Sequence, residues 1–170
     1  MVKLEFGSLT DQRPTGNHRI KPMLADAVPA DYEDFQADVV ALEVERTFWE
    51  KATILHAEYH RPAEQPIRGR FARHYADVAA LWQHSAGAAA MVRLDLLARV
   101  VKHKSRFFTS SWASYETAKP GSLKLRPPSH REAALARDYE QMQPMFLETP
   151  PSFSTVLRVL TDAERKINRA

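Results

Sequence analysis

Two charged residues in the middle of a predicted helix are the first candidates for chemistry in this chain. Glu50 and Lys51 are adjacent in the stretch RTFWEKATILHAE. Successive helical residues point about 100° apart, so these two side chains cannot pair with each other, and each must find a partner elsewhere. Lys51 follows Phe48 by three residues and precedes Leu55 by four, so its stem runs beside the apolar face. Its ammonium group either reaches water or holds a phosphate as a point charge.

A second polar group lies in the stretch RFARHYADVAAL. Arg73 and Asp77 are four residues apart and His74 and Asp77 are three apart, so all three share one side of a predicted helix. One interpretation is a solvated Arg73–Asp77 ion pair, which contributes about 0.3–0.5 kcal/mol. The other is a carboxylate and an imidazole directed into a cleft. The spacing alone favours the ion pair.

A pair of histidines offers a third, weaker candidate. His56 and His60 are four residues apart and could present two imidazoles on one helix face. A zinc site needs at least a third protein ligand, and HAEYH is not the HExxH pattern of the metalloproteases. The spacing therefore argues against a zinc site here.

The composition excludes several classes of protein. Of the 170 residues 44% are apolar and 26% charged, and no apolar run approaches the ~18 residues of a spanning helix, so we expect neither disorder nor a membrane protein. Cysteine is absent, which excludes disulfides and thiolate nucleophiles and fits a cytoplasmic protein. The net charge of +3 is compatible with nucleotide or nucleic-acid binding without establishing it.

The N-terminal residues predict an incomplete sheet. Residues 1–6 alternate between apolar and polar types, which predicts a strand with Glu5 on its polar face, toward a cleft. A loop rich in proline and glycine is predicted over residues 7–22, and a second strand over residues 39–42. Two lone strands do not make a stable sheet, so we expect Met1 to lie within a larger fold whose other strands are elsewhere.

From residue 43 onward the pattern is helical. Apolar residues recur at steps of three and four, which predicts helices over residues 43–60, 71–84 and 88–104. Ser129 with Glu132 three residues later predicts a capping box at the next helix, and Ser152 or Ser154 is expected to cap the last one. The predicted fold class is α+β, mainly α.

Several segments together resemble a known family. LEVERTFWEKATILHAEYHRP, RFARHYADVAAL and YETAKPGSLKLRPP resemble the C-terminal portion of the AbiEii/AbiGii-type nucleotidyltransferase toxins of type IV toxin–antitoxin systems. In that family a Glu-Lys helix motif precedes a basic-x-x-x-Asp helix motif. The resemblance covers essentially all of the chain. It implies a short β remnant of a nucleotidyltransferase-like core over residues 1–42, followed by a helical bundle over residues 43–170.

The resemblance also implies a reaction and assigns residues to it. The family transfers a nucleotide from an NTP to an acceptor, with Mg²⁺ as cofactor; in members that have been studied the acceptor is the end of a tRNA. Lys51 would contact NTP phosphates and Asp77 would act as a base or ligand near the reacting centre, with His74 at a position where many members carry an acid. The implied catalytic residues are Lys51, Asp77 and Glu50; the implied nucleotide-binding residues are Lys51, Arg46, Arg73 and His74; the implied metal ligand is Glu5.

The chain departs from the family in its metal-binding motifs. Gly7-Ser8 follows a strand, but no helix follows it and no Asp-x-Asp lies downstream, so we do not assign it as the catalytic Gly-Ser of the family. Because phosphoryl-type transfer depends on metal ions held by carboxylates, we expect these residues alone to be inactive.

A non-catalytic function is the alternative interpretation. In it the helical bundle is an interaction module that binds an antitoxin, RNA or another subunit. An unpaired strand edge would also favour a homodimer, since such an edge invites pairing with a second copy.

Overall fold

The structure is a computed structural model that describes residues 11–28 and 35–170. The chain divides into two compact units, residues 1–44 and 45–170. Helices predominate, and the described strands form a two-stranded sheet, which confirms the predicted α+β, mainly α class. The strand predicted over residues 1–6, with Glu5, lies outside the described residues. No helix in the described part of the chain is long and apolar enough to span a membrane.

The first unit contains a β-hairpin. Strand β1, Thr15–Ile20, pairs antiparallel with strand β2, Ala37–Leu42, and a short helix α1, Leu24–Ala27, lies in their connection. On the two strands, Arg19 Nε donates to Asp38 Oδ1 at 2.9 Å. Such exposed cross-strand pairs of opposite charge support the backbone ladder.

The hairpin corrects the predicted loop over residues 7–22. Strand β1 lies inside that range, so β2 has its partner within this chain rather than elsewhere. The prediction failed because five of the six residues of β1 are exposed, and the segment TGNHRI has no buried face. Without a buried face a strand lacks the alternation by which it is recognised in a sequence.

The second unit is a bundle of helices whose apolar stripes face one core. Helix α7 shows the pattern, because its buried residues recur every three or four positions from Phe153 to Ile167. Ser152 Oγ accepts a hydrogen bond from the Thr155 backbone N–H at 3.2 Å, which confirms Ser152 as the predicted cap. The helices are α2 (Val44–Tyr59), α3 (Ala72–Gln83), α4 (Ser85–Met91), α5 (Leu94–Phe107), α6 (Ser129–Gln141) and α7 (Phe153–Ile167).

Aromatic residues connect the helices in this core. Phe48 and Trp49 of α2 are completely buried, and the Phe48 ring stacks on Trp82 of α3 with the ring centroids 6.0 Å apart. Tyr75 of α3 makes an edge contact with Phe153 of α7. Helix α3 is therefore held on both sides, and its polar residues remain at the rim of the core.

The helix predicted over residues 88–104 is two helices in the structure. Helix α4 ends at Met91 and α5 begins at Leu94. Trp49 Nε1 donates a hydrogen bond to the Ala90 carbonyl oxygen at 3.2 Å, and the Arg93 N–H donates to the same oxygen at 2.9 Å. In a continuous helix, the Ala90 carbonyl oxygen would instead accept a hydrogen bond from the N–H of residue 94. The break thus depends on a contact with α2, which local periodicity does not reveal.

The predicted capping box at Ser129 is also wrong. Ser129 is the first residue of α6, and the cap position is Pro128, which makes no side-chain bond. The Glu132 carboxylate instead accepts a hydrogen bond from Arg126 Nε at 3.0 Å, which draws it away from the helix N-terminus.

A carboxylate of α6 fixes the start of α3. Asp138 accepts hydrogen bonds from the backbone N–H groups of Arg70, at 2.6 Å, and Ala72, at 2.7 Å. The first N–H groups of a helix have no partner within the helix, so Asp138 supplies one from a neighbouring element. Asp138 therefore sets where α3, with its polar residues, lies relative to α6.

Candidate functional site

Lys51 of α2 and Asp77 of α3 form an ion pair. Lys51 Nζ donates to Asp77 Oδ2 at 2.7 Å, and the two side chains are 28% and 42% exposed. Phe48 and Leu55 are buried on either side of Lys51, so its stem lies near the core while the ammonium group emerges. The structure confirms that Lys51 finds a partner outside its own helix, and that partner is one of the predicted site residues.

Glu50 has a different partner. Arg46, one turn earlier in α2, is completely buried, and its Nε and Nη2 lie 3.0 and 2.9 Å from Glu50 Oε1. Glu50 itself remains 28% exposed. A buried guanidinium fixes the orientation of a carboxylate through such a pair of contacts. Arg46 therefore acts on the site by positioning Glu50.

Lys104 of α5 joins this group, although the sequence did not single it out. Its Nζ donates to the backbone carbonyl oxygen of Glu50 at 2.6 Å. Burial lowers the pKa of Lys104 to about 8; the positive charges of Arg46 and Lys51 add to the lowering and Glu50 opposes it. A lysine with a pKa this close to neutral is easily shifted between its two protonation states.

Lys104 could have been found from its position in the helix. It follows Leu97 and Val100, both buried, at steps of seven and four residues. A lysine on the apolar stripe of a helix is unusual, since lysines are almost never buried without a partner.

His74 is the neutral member of the group. Burial lowers the pKa of His74 to about 4, the positive charges of Lys51, Arg73 and Lys104 lower it further, and Asp77 raises it. At neutral pH the imidazole is therefore uncharged, and its Nδ1 is a buried polar atom without a hydrogen-bond partner among the described residues.

We call this assembly the cationic cluster. It consists of Arg46, Glu50, Lys51, Arg73, His74, Asp77 and Lys104. Every predicted site residue within the described part of the chain belongs to it; Glu5 lies outside that part. Four basic side chains face two carboxylates, so the cluster carries an excess of positive charge at neutral pH. Such an excess on rigid elements attracts a polyanion such as a triphosphate.

The Arg73–Asp77 ion pair favoured by the spacing is not what the structure shows. Asp77 accepts its hydrogen bond from Lys51, while Arg73 is exposed and acts on the cluster through its charge. Exposed four-residue pairs contribute little, about 0.3–0.5 kcal/mol, so a partner on another helix replaces them easily.

The described residues do not fit a magnesium site. Among them, no group of three or more His, Asp or Glu residues could hold a metal ion. The two carboxylates of the cationic cluster are each engaged, Glu50 with Arg46 and Asp77 with Lys51. Mg²⁺ prefers several free oxygen ligands in octahedral geometry, which this set does not offer.

The histidine pair of α2 has a structural function. The His56 and His60 ring centroids are 4.8 Å apart, as their spacing predicts. His56 Nδ1 accepts a hydrogen bond from the Lys124 backbone N–H at 3.0 Å, and its Nε2 lies 3.0 Å from the Ser114 carbonyl oxygen. Both ring nitrogens of His56 are thus engaged, and His56 ties the segment after α5 to α2.

Comparison with known proteins identifies the family. The family model described as "Nucleotidyl transferase AbiEii toxin, Type IV TA system" matches residues 1–159, a range that includes the whole cationic cluster. No curated protein and no solved structure matches the chain.

Proposed function

Because the chain belongs to the AbiEii nucleotidyl transferase toxin family, we propose that its cationic cluster binds the triphosphate of an NTP for transfer of the nucleotide to a tRNA acceptor. The observation that carries this proposal is the convergence of Lys51 and Lys104, from two helices, on the same turn of α2. Two ammonium groups beside a neutral imidazole match the charge and hydrogen-bonding needs of phosphate oxygens.

The proposal gives separate roles to the two ion pairs. In the absence of nucleotide, Asp77 holds the Lys51 ammonium at the rim of the cluster through their 2.7 Å contact. When a phosphate takes over Lys51, Asp77 is released beside the reacting end of the nucleotide, where it is placed to accept a proton from the acceptor hydroxyl. Arg46 holds the Glu50 side chain, and the Glu50 backbone carbonyl oxygen holds the Lys104 ammonium group beside α2.

We also propose that these residues on their own bind the nucleotide, and that its transfer further requires metal-holding carboxylates that are not among them. The 170 residues contain no Asp-x-Asp pair, and the described carboxylates do not form a metal site. In this family, Mg²⁺ would supply charge neutralisation on the phosphates. The proposal further includes a cytoplasmic location and an antitoxin partner.

Equilibrium binding of NTPs to the chain and to two variants tests the proposal. Lys51→Ala should weaken binding about tenfold or more, because a hydrogen bond to a charged group contributes about 1.5–3 kcal/mol. Asp77→Asn should strengthen binding, because it frees Lys51 and removes a negative charge beside the phosphates. If the Lys51–Asp77 ion pair were purely structural, both variants would change the NTP affinity in the same direction.

The control is Lys102→Ala, which removes an exposed ammonium two residues from Lys104. It should leave the affinity unchanged. If NTP affinity is unchanged in Lys51→Ala and in Asp77→Asn, neither residue belongs to a nucleotide site, and the interaction-module interpretation gains.

A further inference from the structure

A groove adjoins the cationic cluster. It lies between α3 and α7 and is bordered by residues 146–151, with a volume of about 530 Å³. Its lining is mostly apolar, and Ala76 and Ala80 of α3 form a floor without long side chains. Pockets of roughly 300–1,000 Å³ with apolar walls and a few polar groups are the usual size and chemistry of small-molecule sites.

Asp77 belongs both to this groove and to the cluster. It lines the groove, and its Oδ2 lies 2.7 Å from Lys51 Nζ. Ala76 and Ala80 are within one helical turn of Asp77, so the apolar floor begins where the charged residues end. A ligand with an anionic end and an apolar end would therefore fit one continuous surface.

The walls of the groove suit a flat aromatic ring. Tyr139 and Phe146 line it with their ring centroids 5.5 Å apart, and Val156 and Val159 of α7 line it as well. Aromatic and apolar walls hold nucleobases by stacking with little regard to sequence. Polar side chains of the same groove, Gln83 and Thr155, could meet the hydrogen-bonding edge of a base.

We propose that this groove binds the nucleobase of the NTP whose phosphates the cationic cluster holds. The inference rests on the proposed function and deepens it, since it names the second half of the same ligand. The occupant follows from charge complementarity: the cluster at one end selects a polyanion, and the groove beside it selects a planar apolar group.

Filling the groove provides the test. Ala80→Phe places a ring over the alanine floor, and Ala80 is exposed, so the fold should tolerate it. Ala133→Phe, at an exposed position of α6, is the matched control. Affinities for an NTP and for inorganic tripolyphosphate are measured by calorimetry on all three proteins, because tripolyphosphate carries the charges without the base.

The wild-type chain and Ala133→Phe should bind the NTP about tenfold or more tightly than tripolyphosphate, because stacking strengthens only the NTP. Ala80→Phe should lose that difference while its tripolyphosphate affinity stays constant. If Ala80→Phe binds the NTP as tightly as the wild type, or weakens both ligands equally, the groove does not hold the base, although the proposed function stands. If neither ligand binds the wild-type chain, the proposed function fails and this inference fails with it.

Discussion

Lys104 Nζ donates a hydrogen bond to the backbone carbonyl oxygen of Glu50 at 2.6 Å, across 54 residues of sequence. This bond places an ammonium group of α5 beside the helix turn that carries Lys51. The cost of burying Lys104 appears in its pKa, which burial lowers to about 8. An ionisable group that is buried beside other charged side chains, with a strongly shifted pKa, is typical of functional sites.

The Lys104 pKa predicts a rise in stability at alkaline pH. The folded chain releases the Lys104 proton near pH 8 and the unfolded chain near 10.5, so the unfolded state binds more protons between these values. The free energy of unfolding therefore gains a contribution that increases from pH 8 to 10.5. Urea denaturation across this range should show the increase in the wild type and in Lys102→Met, but not in Lys104→Met. Equal pH slopes in wild type and Lys104→Met would contradict the prediction.

His74 predicts a loss of stability at acid pH. Its pKa is about 4 in the folded chain and 6.5 in the unfolded chain, so the unfolded state takes up a proton first as the pH falls. The corresponding contribution to stability is complete above pH 6.5 and is lost as the pH falls to 4. In urea denaturation, His74→Gln should lack this decrease in the free energy of unfolding between pH 6.5 and 4. His130→Gln, at an exposed position, should retain it.

Triphosphate binding should be accompanied by proton uptake. An anion in the cluster offsets the positive charges of Lys51 and Lys104, which contribute to lowering the His74 pKa. The bound form should therefore take up protons near pH 5. Calorimetry of tripolyphosphate binding in two buffers of different ionisation enthalpy measures this uptake. His74→Gln should abolish it, and uptake that persists unchanged in the variant would assign the proton to another group.

The two ion pairs should differ in their contribution to stability. Arg46 is completely buried, so Arg46→Met should destabilise the fold by about 3 kcal/mol, because it leaves the Glu50 carboxylate without its buried partner. Adding Glu50→Met should recover part of that loss. Lys51→Met should change stability by less than about 1 kcal/mol, since its pair with Asp77 is partly exposed. Thermal and urea unfolding compare the four proteins, and equal losses in Arg46→Met and Lys51→Met would contradict this assignment.

Asp138 should matter for both the fold and the site. Asp138→Ala removes the acceptor of two backbone N–H groups at the start of α3 and should cost about 1–2 kcal/mol. Because α3 carries Arg73 and His74, two of the proposed nucleotide-binding residues, the same change should also weaken NTP binding. Glu140→Ala, at an exposed position of the same helix, is the control for unfolding and for binding. If Asp138→Ala is as stable as Glu140→Ala, Asp138 does not stabilise the N-terminus of α3.

The sequence by itself determined the features that depend on backbone geometry. Helical spacing placed Arg73, His74 and Asp77 on one side of α3. It also separated Glu50 from Lys51, so that each needed another partner: Glu50 pairs with Arg46 one turn away, and Lys51 pairs with Asp77 of α3. These relations are local, because 3.6 residues per turn apply to any helix whatever surrounds it.

Only the tertiary structure decided which charges meet and at what cost. Lys51 and Asp77 are 26 residues apart, and their contact depends on where α2 and α3 pack. The break before α5 likewise depends on Trp49, which engages a carbonyl of α4. Lys104 acquires its lowered pKa only when folding buries it beside other cations. Ion pairing and desolvation are set by distances between helices and by exclusion of water, and neither is encoded in the spacing of residues along one helix.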